Sequence, residues 1–579
     1  VLAVRIPPWR SRVLLLTLFA AFSALTVRAF YLQAGFSTRF LQRQGEARYA
    51  HIVKEAPVRG TIYDRNGVVL AASVPARGVW VDPDHFDADP AQRALLSRQL
   101  DLPADELRRR VSMEKRQVYL RHQLDPEVAH QVEGLQIAGL HTDKEFRRQY
   151  SEGPVTSHIL GITNFAEQGQ EGIERAFDAM LGGQPGLRHL VEDPMHHTLE
   201  DTWLREPVQG QDITLALDDR IQYIAHSAVR KAAEDNAARA AAAVVLDART
   251  GELMGMASWP DFDPAKRAQF DPDQARNRAV ADLFEPGSTL KPFSIATAIE
   301  TGLVRPDTLI DTGAGRMAIG GRTISDTHAH GVISVEQVVA MSSNVGTATI
   351  ALRMPAQNLW DTLTGAGFGQ VPQHDLVGAR AGVLRSAASW RPVEKATIAY
   401  GYGISVSLLQ LARAYMIFAR DGDILPISVL RTEAPPPAVR VISPETAAKM
   451  RHMLEMATSD QGTAPLARVP GYRVAGKTGT ARKLHDGKYI DAYVSSFVGF
   501  APVSDPRIVV AVMIDEPHGG HYFGGDVAAP AFSAIVGGTL LQLRVPSDAA
   551  APAAVVSARS TPPSTQPSTQ LARAAAPGG

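Results

Sequence analysis

One uncharged apolar run, VLLLTLFAAFSALTV from Val13 to Val27, sets the first limit on how this chain folds. Continued past Arg28 to Gln33, it reaches the length of about 20 residues that a helix needs to cross a bilayer. Arg28 near its far end can snorkel to the interface. A cleaved signal peptide is the alternative, with Ala21, Phe22 and Ser23 as a small-x-small site, but that site falls in the middle of the apolar run. Read as an uncleaved anchor, residues 13–33 leave a short segment, 1–12, on one side and a long hydrophilic remainder on the other. Arg5, Arg10 and Arg12, with no acidic residue among them, favour a cytoplasmic N-terminal segment, yet Arg28, Arg39, Arg43 and Arg48 follow, so charge alone does not decide the orientation. With one span, the economical topology puts nearly everything outside.

That remainder has the composition of folded protein: hydrophobic residues make up 45% of the 579-residue chain and charged residues 21%. A net charge of -1 gives no reason to expect a nucleic-acid partner. The sequence contains no cysteine, which excludes disulfide frameworks, thiol nucleophiles and Cys-ligated metals.

Residues 34–207 read as an α+β module without chemistry of its own. In RGTIYDRNGVVLAAS, Asn66-Gly67 supplies the positive φ of a tight hairpin, and DPAQRALLSRQL and DPEVAHQVEGL each place Asp-Pro ahead of helical spacing, a cap followed by an N1 proline. A boundary falls near REPVQGQDI. Beyond it, DITLALD alternates like a strand, and Ile221, Ala225, Val229 and Ala232 recur at helical spacing. Two hairpins, AAAVVLDARTGELMGMAS and YVSSFVGFAPVSDPRIVVAVMID, bracket long helical stretches, so residues 208–545 are expected to form one large domain with an antiparallel sheet packed against helices. Residues 546–579, rich in Ala, Pro, Ser and Thr, are expected to be a disordered tail.

The chemistry enters at FEPGSTLKPFSIATAIETG. Ser288 and Lys291 are three residues apart, close enough on a helix for an amine to reach a hydroxyl. A serine oxygen needs such a base to become a nucleophile; equally, Ser288 can be a helix cap and Lys291 a solvated charge. Two more motifs weigh against the cap: Ser342-Ser343-Asn344 in a short polar loop between helical patterns, and Lys477-Thr478-Gly479-Thr480, whose glycine lets another backbone approach closely. Three such motifs in this order within one domain are those of the penicillin-recognising serine enzymes. His328 with His330, His196 with His197 and His518 with His521 lack a third ligand at recognised spacing, so no metal site is expected. GAGFGQ, Gly365 to Gln370, lacks the strand-helix setting of a phosphate loop.

RGTIYDRNG, GQEGIERAFDAMLGGQPG, RNRAVADLFEPGSTLKPF, AYGYGISVSLLQLARAY, GYRVAGKTGTA and GGDVAAPAF together resemble the class B penicillin-binding proteins, specifically the division-associated peptidoglycan D,D-transpeptidases of the FtsI family. The resemblance implies a pedestal of the dimerisation type at 34–207 and a serine β-lactamase-like transpeptidase domain at 208–545, with the catalytic domain in the periplasm and a single-pass anchor in the inner membrane. By the same likeness, Ser288 attacks a D-Ala-D-Ala stem peptide and Lys291 takes its proton. Ser342 and Asn344 relay protons and bind the donor amide, and Lys477 helps keep Lys291 neutral. Thr478 and Thr480 hold the substrate carboxylate beside Gly479, and the backbone N–H groups of Ser288 and Thr480 form the oxyanion hole. No cofactor is implied; the implied partners are peptidoglycan stem peptides, β-lactams, a SEDS-family glycosyltransferase and other divisome membrane proteins. RRQYSEGPVTSH, PMHHTLED and DLVGARAG depart from the family's usual pedestal and loop sequences, which leaves open a paralogue acting outside division. A D,D-carboxypeptidase or β-lactam hydrolase, and a non-catalytic scaffold or sensor, stay open as alternatives.

Overall fold

Pro8 opens a helix that runs to Gln33. Over Pro8–Tyr31 its mean hydropathy reaches 2.0 and none of it is buried, the character of a helix that meets lipid rather than protein. The computed structural model describes residues 7–33, 50–192, 198–266, 271–372, 375–549 and 578–579. His196, His197 and most of the expected tail, 550–577, lie outside the described residues. A second segment, Gly524–Gln542, is also long and apolar enough to span, but 56% of it is buried inside the protein.

In the pedestal, Asp64 Oδ1 accepts from the backbone N–H groups of Asn66 (2.7 Å) and Val68 (2.8 Å), and Gly67 takes the left-handed φ of +86° that closes the hairpin. The long strand Val69–Val81 pairs antiparallel with Leu140–Tyr150 and with Val118–Leu124. Helices Pro90–Gln99 and Pro126–Glu133 start on Asp89 and Asp125, whose carboxylates cap them as the Asp-Pro pairs imply. Leu96, Leu107, Leu120 and Val132 are buried between these elements. Nearer the junction, Arg59 and Arg148 both donate to the buried Glu174, at 2.7 and 2.6 Å, so the charges in this core are paired.

Of DITLALD only Ile213–Thr214 becomes a strand. It runs parallel to Ile62–Tyr63 and so belongs to the pedestal's sheet, which makes this segment the seam between the two parts of the chain.

The larger domain is built on five strands: β1 (Ala240–Asp247), β2 (Leu253–Trp259), β3 (Ala475–His485), β4 (Lys488–Ala501) and β5 (Ile508–Asp515), in the order β2-β1-β5-β4-β3. All pairings are antiparallel. β1 and β5 read as unbroken apolar runs because they are covered on both faces. Ala241, Ala243 and Val245 join a core with Ile221, Val229 and Phe532 from helices Asp219–Asp235 and Ala529–Gln542. The alternate residues Ala242, Val244 and Leu246 join Leu411, Tyr415 and Phe418 of helix Leu408–Ala419. Strand β3 is the sheet's edge. Past Val545 the chain stays bonded to this domain through Asp548, which accepts from Arg473 N at 2.7 Å, and Ala549, whose N–H donates to Gly471 O at 3.2 Å.

Candidate active site

Ser288 lies in a single 3-10 turn, Gly287–Leu290, and the α-helix proper begins at Lys291 and ends at Glu300. The spacing alone suggests one continuous α-helix. Gly287 at φ +55° and Pro292, which has no N–H to donate, tighten the entry instead. Ser288 and Lys291 remain on the same side, with the Lys291 N–H bonded to the Ser288 carbonyl.

The turn is wedged from behind. Gly287 N donates to Gly401 O at 3.1 Å, and a Cβ on Gly401 would sit 2.0 Å from Gly287 O, so only glycine fits there. The buried Tyr415 hydroxyl donates to Thr289 O at 2.7 Å. Segment AYGYG and helix LLQLARAY thus act as the buttress of the serine turn. The Ser288 hydroxyl itself is half-buried and makes no hydrogen bond with another described residue.

The Ser342-Ser343-Asn344 loop joins helices Val335–Ala340 and Asn344–Arg353. Ser342 adopts φ +60°, a conformation rare for a residue with a side chain and often found at functional sites. Lys291 Nζ donates to both the carbonyl and the hydroxyl of Ser342, the latter at 3.0 Å. The loop is held by Asp326, a residue no sequence motif identified: its carboxylate accepts from Ser343 Oγ (2.6 Å), Asn344 N and Val345 N (3.0 Å). Asn344 Nδ2 donates to Ser325 O at 2.8 Å.

Lys477 to Thr480 lie on edge strand β3, directly against the serine turn. A Cβ on Gly479 would come within 2.8 Å of Pro286 O and 2.9 Å of Thr289 Cγ2, the close approach the glycine permits. Lys477 Nζ donates to Thr478 Oγ1 at 3.2 Å and to Thr463 Oγ1 at 3.4 Å. Thr463 is a second residue that carried no motif. Thr480 Oγ1 accepts from Gly524 N at 3.0 Å, which ties GGDVAAPAF to the site.

Two lysines of this cluster are buried, Lys291 at 1% and Lys477 at 0% exposure. Burial holds the Lys291 amine well below the ordinary lysine range, the positive charge of Lys477 pushes it further down, and the Asp326 carboxylate opposes both. Burial alone brings Lys477 down to about 7. Glu285, three residues before Ser288, accepts from Gly403 N at 2.6 Å and Tyr489 OH at 3.2 Å, and burial raises its pKa. A hydroxyl, a buried amine with its pKa pushed down, a second hydroxyl bonded to that amine, and a strand at the sheet's edge make a site equipped for acyl transfer.

The family model for the penicillin binding protein transpeptidase domain matches residues 241–537, and that for the penicillin-binding protein dimerisation domain matches 54–215. The chain is 38% identical to a probable peptidoglycan D,D-transpeptidase PenA of Neisseria meningitidis, covering 91% of each chain. It is 36% identical to the peptidoglycan D,D-transpeptidase FtsI of Escherichia coli, covering 93% of each. The transpeptidase domain of Burkholderia pseudomallei penicillin-binding protein 3 is 45% identical, with a TM-score of 0.54, over 58% of this chain and 98% of that one. Penicillin-binding protein 3 of Mycobacterium tuberculosis in complex with aztreonam is 29% identical, with a TM-score of 0.67, over 86% of this chain and 98% of that one. With the serine turn, the Ser342 loop and the Lys477 strand gathered in one domain behind a pedestal, the chain belongs to the FtsI and PenA family of peptidoglycan D,D-transpeptidases, penicillin-binding proteins with a dimerisation domain ahead of the transpeptidase domain.

Proposed function

We propose that this peptidoglycan D,D-transpeptidase works through an acyl-enzyme on Ser288 and cross-links septal peptidoglycan. The Lys291–Ser342 contact supports this most directly. A neutral amine has two N–H bonds, which Ser342 O and Oγ occupy, and one lone pair left to take the Ser288 proton. Ser288 Oγ then bonds to the carbonyl of the penultimate D-Ala, and the tetrahedral oxyanion rests on the backbone N–H groups of Ser288 and Thr480. Collapse breaks the peptide bond, and the terminal D-Ala leaves as an amine carrying the proton returned through Lys291 and Ser342. An amine of a second stem attacks the ester, loses its proton along the same route and regenerates the Ser288 hydroxyl. Thr478 and Thr480 hold the donor carboxylate, Gly479 keeps the strand close, and Asn344 binds the donor amide. A penicillin follows the first half only: its lactam C–N bond opens and the acyl group stays on Ser288.

The same reading makes residues 13–33, within the helix Pro8–Gln33, a single-pass inner-membrane anchor, with the pedestal (34–207) and the transpeptidase domain (208–545) in the periplasm and 1–12 in the cytoplasm. A SEDS-family glycosyltransferase and other divisome membrane proteins are the expected partners. Labelling with a fluorescent penicillin, read by intact mass, tests the core of this: the wild-type chain gains one adduct that persists, and Ser288→Ala gains none while melting normally. An adduct that turns over rapidly would favour a hydrolase.

A further inference from the structure

A polar cavity, of about 260 Å³, lies beside the segment that leads into the serine turn. Its walls include Phe284, four residues before Ser288, and Val494 of β4, which pairs with Ala481 of β3; Ala481 Cβ in turn lies against Gly287. Five cationic side chains line it, among them Arg278, Arg380 and Lys483, against the three carboxylates of Asp273, Asp282 and Asp515.

Most of these charges are spoken for. Lys483 bonds Asp515 at 2.8 Å and also reaches Glu516, behind the wall, where Arg239 joins it at 3.2 Å. Arg276 pairs with Asp282, and Arg278 bonds Asp273 at 3.1 Å and Asp282 at 3.3 Å. One cation is left over. Arg380, exposed at the rim, makes no ion pair among the described residues, while Arg278 Nε is enclosed in the protein without a partner. With Glu516 counted, the five cations outnumber the carboxylates by one, and a buried N–H without an acceptor is costly.

We infer that this cavity receives a carboxylate of the acceptor peptide, an inference that rests on the acyl-enzyme reading above. Along β3 the serine turn lies over Gly479 and Ala481. Thr478 and Thr480, which hold the donor carboxylate in that reading, come before Ala481 along the strand, and Lys483 comes after it. Lys483 lies three residues beyond Thr480, about 10 Å along a strand. A carboxylate held there, on the same peptide as the attacking amine, spans that distance with about three extended residues and approaches Ser288 from the side opposite the donor. Arg380 closes over it as the uncommitted cation.

The test uses the full chain, a thioester donor that acylates Ser288, and two acceptor peptides that differ only in a free carboxylate against a carboxamide about three residues from the amine. Aminolysis product is followed as a function of acceptor concentration. The wild-type chain should show an apparent KM about tenfold lower for the carboxylate peptide. Arg380→Gln should abolish that preference, Arg380→Lys should retain part of it, and penicillin labelling of each variant serves as the folding control. Equal use of the two acceptors by the wild-type chain, or a preference that survives Arg380→Gln, overturns the inference. A wild-type chain that penicillin does not label would instead overturn the underlying reading.

Discussion

The Lys291 amine donates to the Ser342 hydroxyl across 3.0 Å, although 51 residues separate them in sequence. A buried amine is thereby fixed against the Ser342 loop. Burial first and the nearby Lys477 charge second push its pKa down, the direction that the proposed role of base requires.

Replacing the base should therefore separate chemistry from folding. Lys291→Met is expected to slow penicillin acylation by about 10²–10⁴-fold, the usual size of general-base catalysis. Its melting temperature should be no lower than wild type, because a buried amine is exchanged for an apolar chain. Lys291→Arg should be equally slow, since a guanidinium keeps its proton. Acylation kinetics beside a thermal melt decide it, and an active arginine variant would remove Lys291 from the role of base.

The acid limb of the acylation profile should move in opposite directions in two variants. Lowering the pH charges Lys291 and slows acylation. Lys477 holds the Lys291 pKa down and Asp326 holds it up. Lys477→Gln should therefore shift the limb to higher pH, and Asp326→Asn should shift it to lower pH. Rates normalised to each variant's plateau show the shift apart from any loss of geometry. Shifts of the same sign would mean that the two charges do not act on this amine.

Stability should carry the mark of Lys477. Its amine sits near 7 in the folded chain, against the ordinary value of 10.5. Between those values the unfolded chain binds more protons, so this group makes unfolding free energy rise with pH across that window. Lys477→Met should raise the melting temperature at pH 7, and its advantage over wild type should narrow as the pH approaches 10. Melts at several pH values check this; a gap that widens with pH contradicts the assignment.

Gly479→Ala should be more harmful to acylation than to stability. The added Cβ meets Ser496 Oγ at 2.4 Å and Pro286 O at 2.8 Å, so β3 must retreat from the serine turn. Overpacking of this kind costs about 1–3 kcal/mol, visible in a denaturant titration, while the displaced strand edge lowers the acylation rate by more than that loss of stability removes folded protein.

Local chemistry made much of this fold readable. The Asp-Pro caps, the Asn66-Gly67 hairpin and the two hairpins of the large sheet are encoded over a few residues each, and each forms. The three motifs that the fold brings together could be found because reactive residue types at fixed spacing are rare. What supports them could not be. Asp326 and Thr463 act through tertiary contacts with Ser343, Asn344 and Lys477, and an isolated aspartate or threonine has no pattern. DITLALD misled for a related reason: its alternation is real, but only Ile213–Thr214 finds a partner strand, in the preceding domain. The 3-10 entry to Lys291 depends on Gly401 pressing on Gly287 from far along the chain, which spacing within FEPGSTLKPF does not encode.

On the proposed reading, the position of Lys477–Thr480 on the outermost strand has a consequence for how such a protein escapes inhibitors. The hydrogen-bonding groups along that border are main chain, present whatever side chain a mutation introduces, and a peptide or an amide mimic that lies along them is met by the same backbone. Codon changes can tell an antibiotic from a stem peptide only by altering the bulk and charge of neighbouring side chains, so resistance variants should cluster around this border and leave its backbone pattern in place.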